Sequence, residues 1–125
     1  MGLIWIAMGG AIGSVLRYLM STRIDQMHSL SLPLGIMAVN IIGSFLMGFL
    51  TLVLIHQCEV SSEIRAAILV GLLGGFTTFS SFSGHSVTYF MNGEYLLMIL
   101  NIVLSVVLCI IAAGAGLFLA KSLFN

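Results

Sequence analysis

Four long apolar segments, joined by short polar links, make up almost the whole chain. They cover about residues 3–22, 33–55, 64–90 and 95–119, and each is close to the roughly 20 residues that a helix needs to cross a bilayer. Polar side chains collect in the links between them. The pattern predicts an all-α integral membrane protein with a single four-helix transmembrane domain over residues 1–125, and we expect no soluble domain beside it.

Composition agrees with a membrane setting. Hydrophobic residues make up 60% of the chain and charged residues 6%, whereas about a quarter of an average soluble domain is charged. No positive residue precedes the first apolar run, so we expect that run to be a span and not a cleaved signal peptide. The two cysteines and three histidines lack the spacing of a metal site or a disulfide framework, so we expect neither.

The third segment carries an unusual interruption at residues 74–83. Glycines at 71, 74 and 75 predict a helix break near residues 74–78, and the segment then spaces three phenylalanines by three residues. Non-helical backbone at membrane depth survives only where protein or a water-filled cavity satisfies it. We therefore expect exposed carbonyl oxygens that suit a cation. The interruption also holds five hydroxyls: Thr77, Thr78, Ser80, Ser81 and Ser83.

These polar groups suit an anion better than a proton-coupled cation. All four acidic residues lie at segment ends or in links, so the lining predicted for a pathway is rich in donors and uncharged. Phe79 and Phe82 share one helical face, and their electropositive ring edges can face an anion. Simple packing of the two rings remains the alternative.

Polar side chains also occur inside the other three segments. Asn40 is either a helix-to-helix hydrogen bond or a donor in a polar pathway. Arg17 either extends its guanidinium to the headgroups or attracts anions in a vestibule. In the fourth segment Asn101, Ser105 and Cys109 recur every four residues, which places them along one helical face.

Charge and glycine patterns indicate how the helices assemble. With four spans, Arg65 and Lys121 lie on one side of the membrane and Arg17 and Arg23 on the other. Because a charge bias normally sets orientation, its absence favours insertion in both directions and an antiparallel homodimer. A GxxxG motif at residues 9–13 predicts close packing of the first helix on another helix.

Residues 9–18, 33–48 and 74–83 together resemble the Fluc, or CrcB, family of small bacterial fluoride channels. The three motifs follow in the right order at fitting spacings and cover most of a chain of suitable length. The resemblance implies an antiparallel, dual-topology homodimer in the bacterial cytoplasmic membrane, with two fluoride pores. It also implies a structural sodium ion at the dimer centre, held by backbone carbonyls of Gly74 and Thr77. By motif position the resemblance implies a fluoride pathway lined by Asn40, Phe79, Phe82, Thr78 and Ser81. We expect Ser105, Arg17 and His85 to belong to the same pathway.

His85 is the main departure from the family pattern, because it stands where the family usually has a glutamate. Its charge can change near neutral pH, so we expect altered or pH-dependent conduction. The leading hypothesis is passive fluoride export, which requires no enzymatic step. The alternatives are a small four-helix proton-coupled multidrug exporter, disfavoured by the lack of an intramembrane carboxylate, and a structural helix-packing subunit.

Overall fold

The fold is a bundle of four membrane-length helical spans. The computed structural model describes residues 2–124, and this part of the chain contains no β-strand. The predicted all-α fold with four spans is confirmed, and the helices extend a few residues beyond the apolar segments at several ends. The helices are α1 (Gly2–Gln26), α2 (Leu34–Gln57), α3 (residues 62–76), α4 (Phe79–Met91) and α5 (Tyr95–Phe124), with α3 and α4 forming the third span.

Glycines allow α1 to pack directly on the backbone of α3. A Cβ atom at Gly9 would collide with the carbonyl of Ala67, and one at Gly13 with the carbonyl of Leu72. On the facing side, a Cβ at Gly75 would lie 2.6 Å from the carbonyl oxygen of Gly10. The close packing predicted from the GxxxG motif is confirmed, and its partner is the third span.

A second close contact joins α2 to α5. A Cβ at Gly48 would collide with the carbonyl of Ala113, and one at Gly116 with the carbonyl of Phe45. Because neither glycine has a side chain, the two backbones approach closely where dispersion contacts, not the hydrophobic effect, hold helices together. The pairs α1–α3 and α2–α5 therefore each pack closely through glycines on both helices.

Polar groups close the helix ends at one edge of the bundle. Pro33 lies at the N-cap of α2, immediately before its first helical residue, and offers no side-chain cap. Asp25, at the end of α1, supplies the missing acceptor, because its Oδ1 accepts the N–H of Gly35 at 2.8 Å. A carboxylate at this position also interacts favourably with the positive, N-terminal end of the α2 helix dipole. Gly93 turns the chain from α4 into α5 with a φ of 74°, in the region that favours glycine.

The third span breaks at Thr77 and Thr78, inside the predicted range of residues 74–78 but after the glycines on which that prediction rested. Residues 67–73 form wide π-helical turns, and Gly74–Phe76 remains helical. The helical path ends only where Thr77 and Thr78 become extended, with ψ angles of 158° and 121°. Gly71 and Gly75 face α1, so their small size serves helix packing, and the interruption has another cause.

Candidate ion pathway

Asn40 pairs with the backbone of Thr78 at the interruption. The Thr78 N–H donates to Asn40 Oδ1 at 2.8 Å, and Asn40 Nδ2 donates to the Thr78 carbonyl oxygen at 3.0 Å. The amide therefore takes the place of the helical partners that Thr78 would otherwise need, and it satisfies both polar groups of a buried residue. Asn40 makes the predicted helix-to-helix bond and also lines the cavity described below.

The hydroxyls beside the break close the two helix ends. Thr77 Oγ1 donates to the carbonyl oxygen of Leu73 at 2.9 Å, at the end of α3. Thr78 caps α4, because its Oγ1 accepts the N–H of Ser81 at 3.1 Å and lies 3.2 Å from the hydroxyls of both Ser80 and Ser81. Satisfying the first amides of a helix in this way is the ordinary role of a threonine N-cap. Some of the hydroxyls that were predicted to be donors for a ligand therefore make hydrogen bonds within the protein.

The carbonyls at the break are compatible with a bound alkali cation. Thr78 donates its N–H to Asn40 and not to the carbonyl of Gly74, four residues earlier, and Gly74 is exposed. The Thr77 carbonyl accepts Arg17 Nη1 at 3.1 Å, and a carbonyl oxygen has a second lone pair for another partner. Carbonyl oxygens are hard ligands of the kind that hold alkali ions in channels. The two carbonyls assigned to sodium by resemblance thus fit that ion.

A cavity of about 380 Å³ lies between α2, the break, α4 and α5. Its walls combine hydroxyl, amide and thiol groups with aromatic and aliphatic side chains, and none of the described lining residues carries a carboxylate. A cavity without fixed negative charge does not repel an anion. The lining residues that carry polar groups or aromatic rings are Asn40, Ser44, Thr77, Thr78, Phe79, Phe82, Ser105 and Cys109.

Phe79 and Phe82 stand at different depths of this cavity. Their ring centroids are 5.3 Å apart and the ring planes are inclined by 52°. Phe82 is buried, whereas Phe79 is 76% exposed. The two rings are therefore not stacked flat on each other. The edges of an aromatic ring carry the positive part of its quadrupole. The exposed Phe79 ring, next to the cavity, offers apolar area that a second protein could bury.

Four of the residues assigned to the fluoride pathway or the sodium site lie outside the lining of the cavity. Ser81 forms the first turn of α4 behind Thr78, and Gly74 lies at the exposed end of α3. Arg17 is half-buried and reaches the outer side of the break through Thr77. His85 lies on α4 beyond Phe82, and its Nδ1 is buried with no hydrogen-bond partner within residues 2–124.

A buried polar chain behind Phe82 was only partly visible in the sequence. Asn101 is 1% exposed and links Ser105 to Ser86, whose hydroxyl donates to the carbonyl oxygen of Phe82 at 3.0 Å. The four-residue repeat indicated that Asn101 and Ser105 share a face with Cys109. Ser86 follows Phe82 by four residues, which is the spacing of a hydroxyl that bonds back to its own helix.

Comparison with known proteins identifies the same family as the motifs. The sequence model of the family described as "CrcB-like protein, Camphor Resistance (CrcB)" matches residues 4–117. A protein of Magnetococcus marinus named "Fluoride-specific ion channel FluC" is 39% identical over 97% of this chain and 98% of its own length. A protein of Shewanella halifaxensis with the same name is 44% identical over 97% of both chains.

A third relative differs in length. The protein of that name from Methylococcus capsulatus is 43% identical over 94% of this chain, and the chain spans about half of it. Four apolar spans and these bacterial relatives make the chain a multi-pass protein of the bacterial inner membrane. The resemblance seen in the three sequence motifs is confirmed over nearly the whole sequence, and the chain belongs to the CrcB family.

Proposed function

We propose that this chain forms a fluoride-selective channel through which fluoride leaves the cytoplasm passively. The observation that carries the proposal is the cavity, whose described lining combines two inclined phenylalanine rings with hydroxyl and amide groups and contains no carboxylate. The names of the relatives support fluoride as the ion. Hydrofluoric acid enters a cell from acidic surroundings and is trapped inside as the anion, so an open pathway is sufficient for export and no chemical step is needed.

Removing water from fluoride is the main energetic difficulty of such a pathway. Conduction requires contacts strong enough to replace hydration and weak enough to release the ion. Asn40 has two N–H donors, and one of them is used by Thr78, which leaves the second for an ion in the cavity. The ring edges of Phe79 and Phe82 continue the electropositive surface along α4. Successive weak contacts of this kind favour passage over tight binding.

We propose further that two copies assemble antiparallel and complete two pores. One chain presents its cavity and the 76% exposed Phe79 ring on an outer surface, and a second copy is the natural cover for it. Gly74 is exposed beside the same break, which suits a sodium ion shared between the carbonyls of Gly74 and Thr77 in both copies. When bound, the ion would supply positive charge that holds the interrupted backbone in place.

A proton-coupled exporter is the alternative, and the distribution of charge argues against it. Such coupling requires an ionisable group inside the membrane, normally a carboxylate. Asp25 caps α2 at a helix end, and Glu59, Glu63 and Glu94 lie in or beside the links. None of them lines the cavity.

Purified protein in liposomes distinguishes the two functions. Fluoride-loaded vesicles should release fluoride when a potassium ionophore supplies the balancing current, and reversing an imposed proton gradient should not reverse the direction of that release. Transport of an organic cation driven by that proton gradient, without fluoride release, would contradict the proposal.

A further inference from the structure

A directed chain of hydrogen bonds runs from the cavity to the backbone of Phe82. Ser105 Oγ donates to Asn101 Oδ1 at 3.4 Å, and Asn101 Nδ2 donates to Ser86 Oγ at 3.0 Å. Ser86 Oγ donates in turn to the Phe82 carbonyl oxygen at 3.0 Å. All three polar side chains are buried, and Ser105 is the one of the three that lines the cavity. These three hydrogen bonds therefore connect the cavity wall on α5 with α4, the helix that carries Phe79 and Phe82.

The direction of this chain follows from the number of protons available. A serine hydroxyl has one proton, and Ser86 uses its proton on the carbonyl four residues earlier in its own helix. Ser86 can then only accept a hydrogen bond from Asn101, so the amide must turn its NH₂ group towards Ser86. The amide oxygen consequently faces Ser105, which has to be the donor in that contact.

The hydroxyl of Ser105 is thereby oriented unfavourably for an anion. Its single proton points to Asn101 Oδ1, so its lone pairs are left for the cavity. An anion that uses Ser105 as a donor has to compete with Asn101 for the proton. At 3.4 Å the bond to Asn101 is long for a hydroxyl donor, so the proton can exchange between the two acceptors at low cost.

We propose that Asn101 is a positioning residue that weakens anion binding at Ser105 by holding its proton. The inference rests on the proposed function, because it assumes that fluoride passes Ser105. In this arrangement an ion gains the Ser105 contact only while the Asn101 contact is broken. The competition keeps anion binding at Ser105 weak, which favours release of the ion and rapid passage.

The test is the concentration dependence of fluoride efflux from liposomes for the unmodified chain, Asn101→Leu, Ser105→Ala and the double variant. Leucine has a similar volume and no acceptor, so it frees the Ser105 proton. We expect the half-saturating fluoride concentration to fall roughly two- to tenfold, the range covered by one neutral hydrogen bond, and the maximal rate to fall with it. With Ser105→Ala in place, Asn101→Leu should leave the half-saturating concentration unchanged.

Ser86→Ala provides a second test that disturbs the helix packing less. Without the Ser86 acceptor the amide is free to turn its NH₂ group towards Ser105, which then accepts a bond and keeps its proton for the ion. The half-saturating concentration should again fall, and Ser105→Ala should again abolish the change. This variant decides the question if Asn101→Leu does not yield folded protein.

Other outcomes overturn the inference. A half-saturating concentration that stays constant or rises in both variants would contradict it, as would an equal fall in the Ser105→Ala background. Efflux by the unmodified chain tests the proposed function separately. A conducting channel that does not respond to Asn101 or Ser86 in this way would remove the positioning role alone.

Discussion

The side-chain amide of Asn40 replaces a helical neighbour for Thr78 by accepting its N–H at 2.8 Å and donating to its carbonyl oxygen at 3.0 Å. This single pairing links α2 to the third span at the point where that span stops being helical. It also places the caps, the rings and the cavity wall that follow. The break is thus stabilised from outside the segment that contains it.

Removing the Asn40 amide should disorganise the break. Asn40→Leu deletes two hydrogen bonds and leaves the N–H of buried Thr78 without its partner, which costs roughly 1–3 kcal/mol of the free energy of unfolding. We expect a lower melting temperature in detergent and a strongly reduced fluoride efflux. Asn92→Leu, at an exposed position after α4, is the matched control. Wild-type stability and flux in Asn40→Leu would show that the pairing does not hold the break.

The ring edges of Phe79 and Phe82 should be required for rapid passage. Replacing either ring by isoleucine keeps an apolar side chain and removes the electropositive edge. We expect efflux to fall about tenfold or more in each variant, equivalent to about 1.4 kcal/mol at the barrier. Phe118→Ile, at a 74% exposed position near the end of α5, serves as the control and should conduct normally. Unchanged flux in both pathway variants would refute the ring-edge account.

The labelling of Cys58, an exposed thiol in the link between α2 and α3, tests dual topology. In a Cys109→Ala background, a membrane-impermeant maleimide added outside sealed vesicles should label about half of the chains if insertion occurs in both directions. Permeabilising the membrane should expose the remainder. Labelling of all chains or of none from outside would establish a single orientation and rule out the antiparallel dimer.

Sodium should stabilise the assembled protein through the carbonyls of Gly74 and Thr77. Ligand that binds only the folded state adds about 2.7 kcal/mol of stability at 100 times its Kd. We therefore expect the melting temperature to rise with sodium at constant ionic strength, and to remain low when N-methylglucamine replaces it. Equal melting temperatures in the two salts would argue against the sodium site.

The four spans and their principal contact were predictable because each depends on a local pattern. Twenty apolar residues define a span wherever they occur, and the GxxxG motif at Gly9 and Gly13 requires a close neighbour in lipid. The same logic put the break within residues 74–78, where it lies, but attributed it to the wrong residues. A glycine that admits a neighbouring helix looks the same in sequence as one that ends a helix, and Gly71 and Gly75 belong to the first kind.

The candidate site was predictable as a set of residue types, and its hydrogen-bond directions were not. Thr77 and Ser105 were predicted to be donors, but both hydroxyls donate within the protein. Thr77 donates to the carbonyl oxygen of Leu73, and Ser105 donates to Asn101 Oδ1. Which acceptor a hydroxyl finds depends on atoms from other helices. The partner of Thr78 is 38 residues away in sequence, and no local pattern indicates it.

The reversal potential of single channels in a planar bilayer tests passive fluoride selectivity most directly. With a tenfold fluoride gradient, equal chloride and equal pH on both sides, the current should reverse at the equilibrium potential of fluoride. Because the chain is proposed to couple fluoride to nothing else, changing the pH of one side should not move that potential. Reversal near zero, or a reversal potential that follows the proton gradient, would contradict the account.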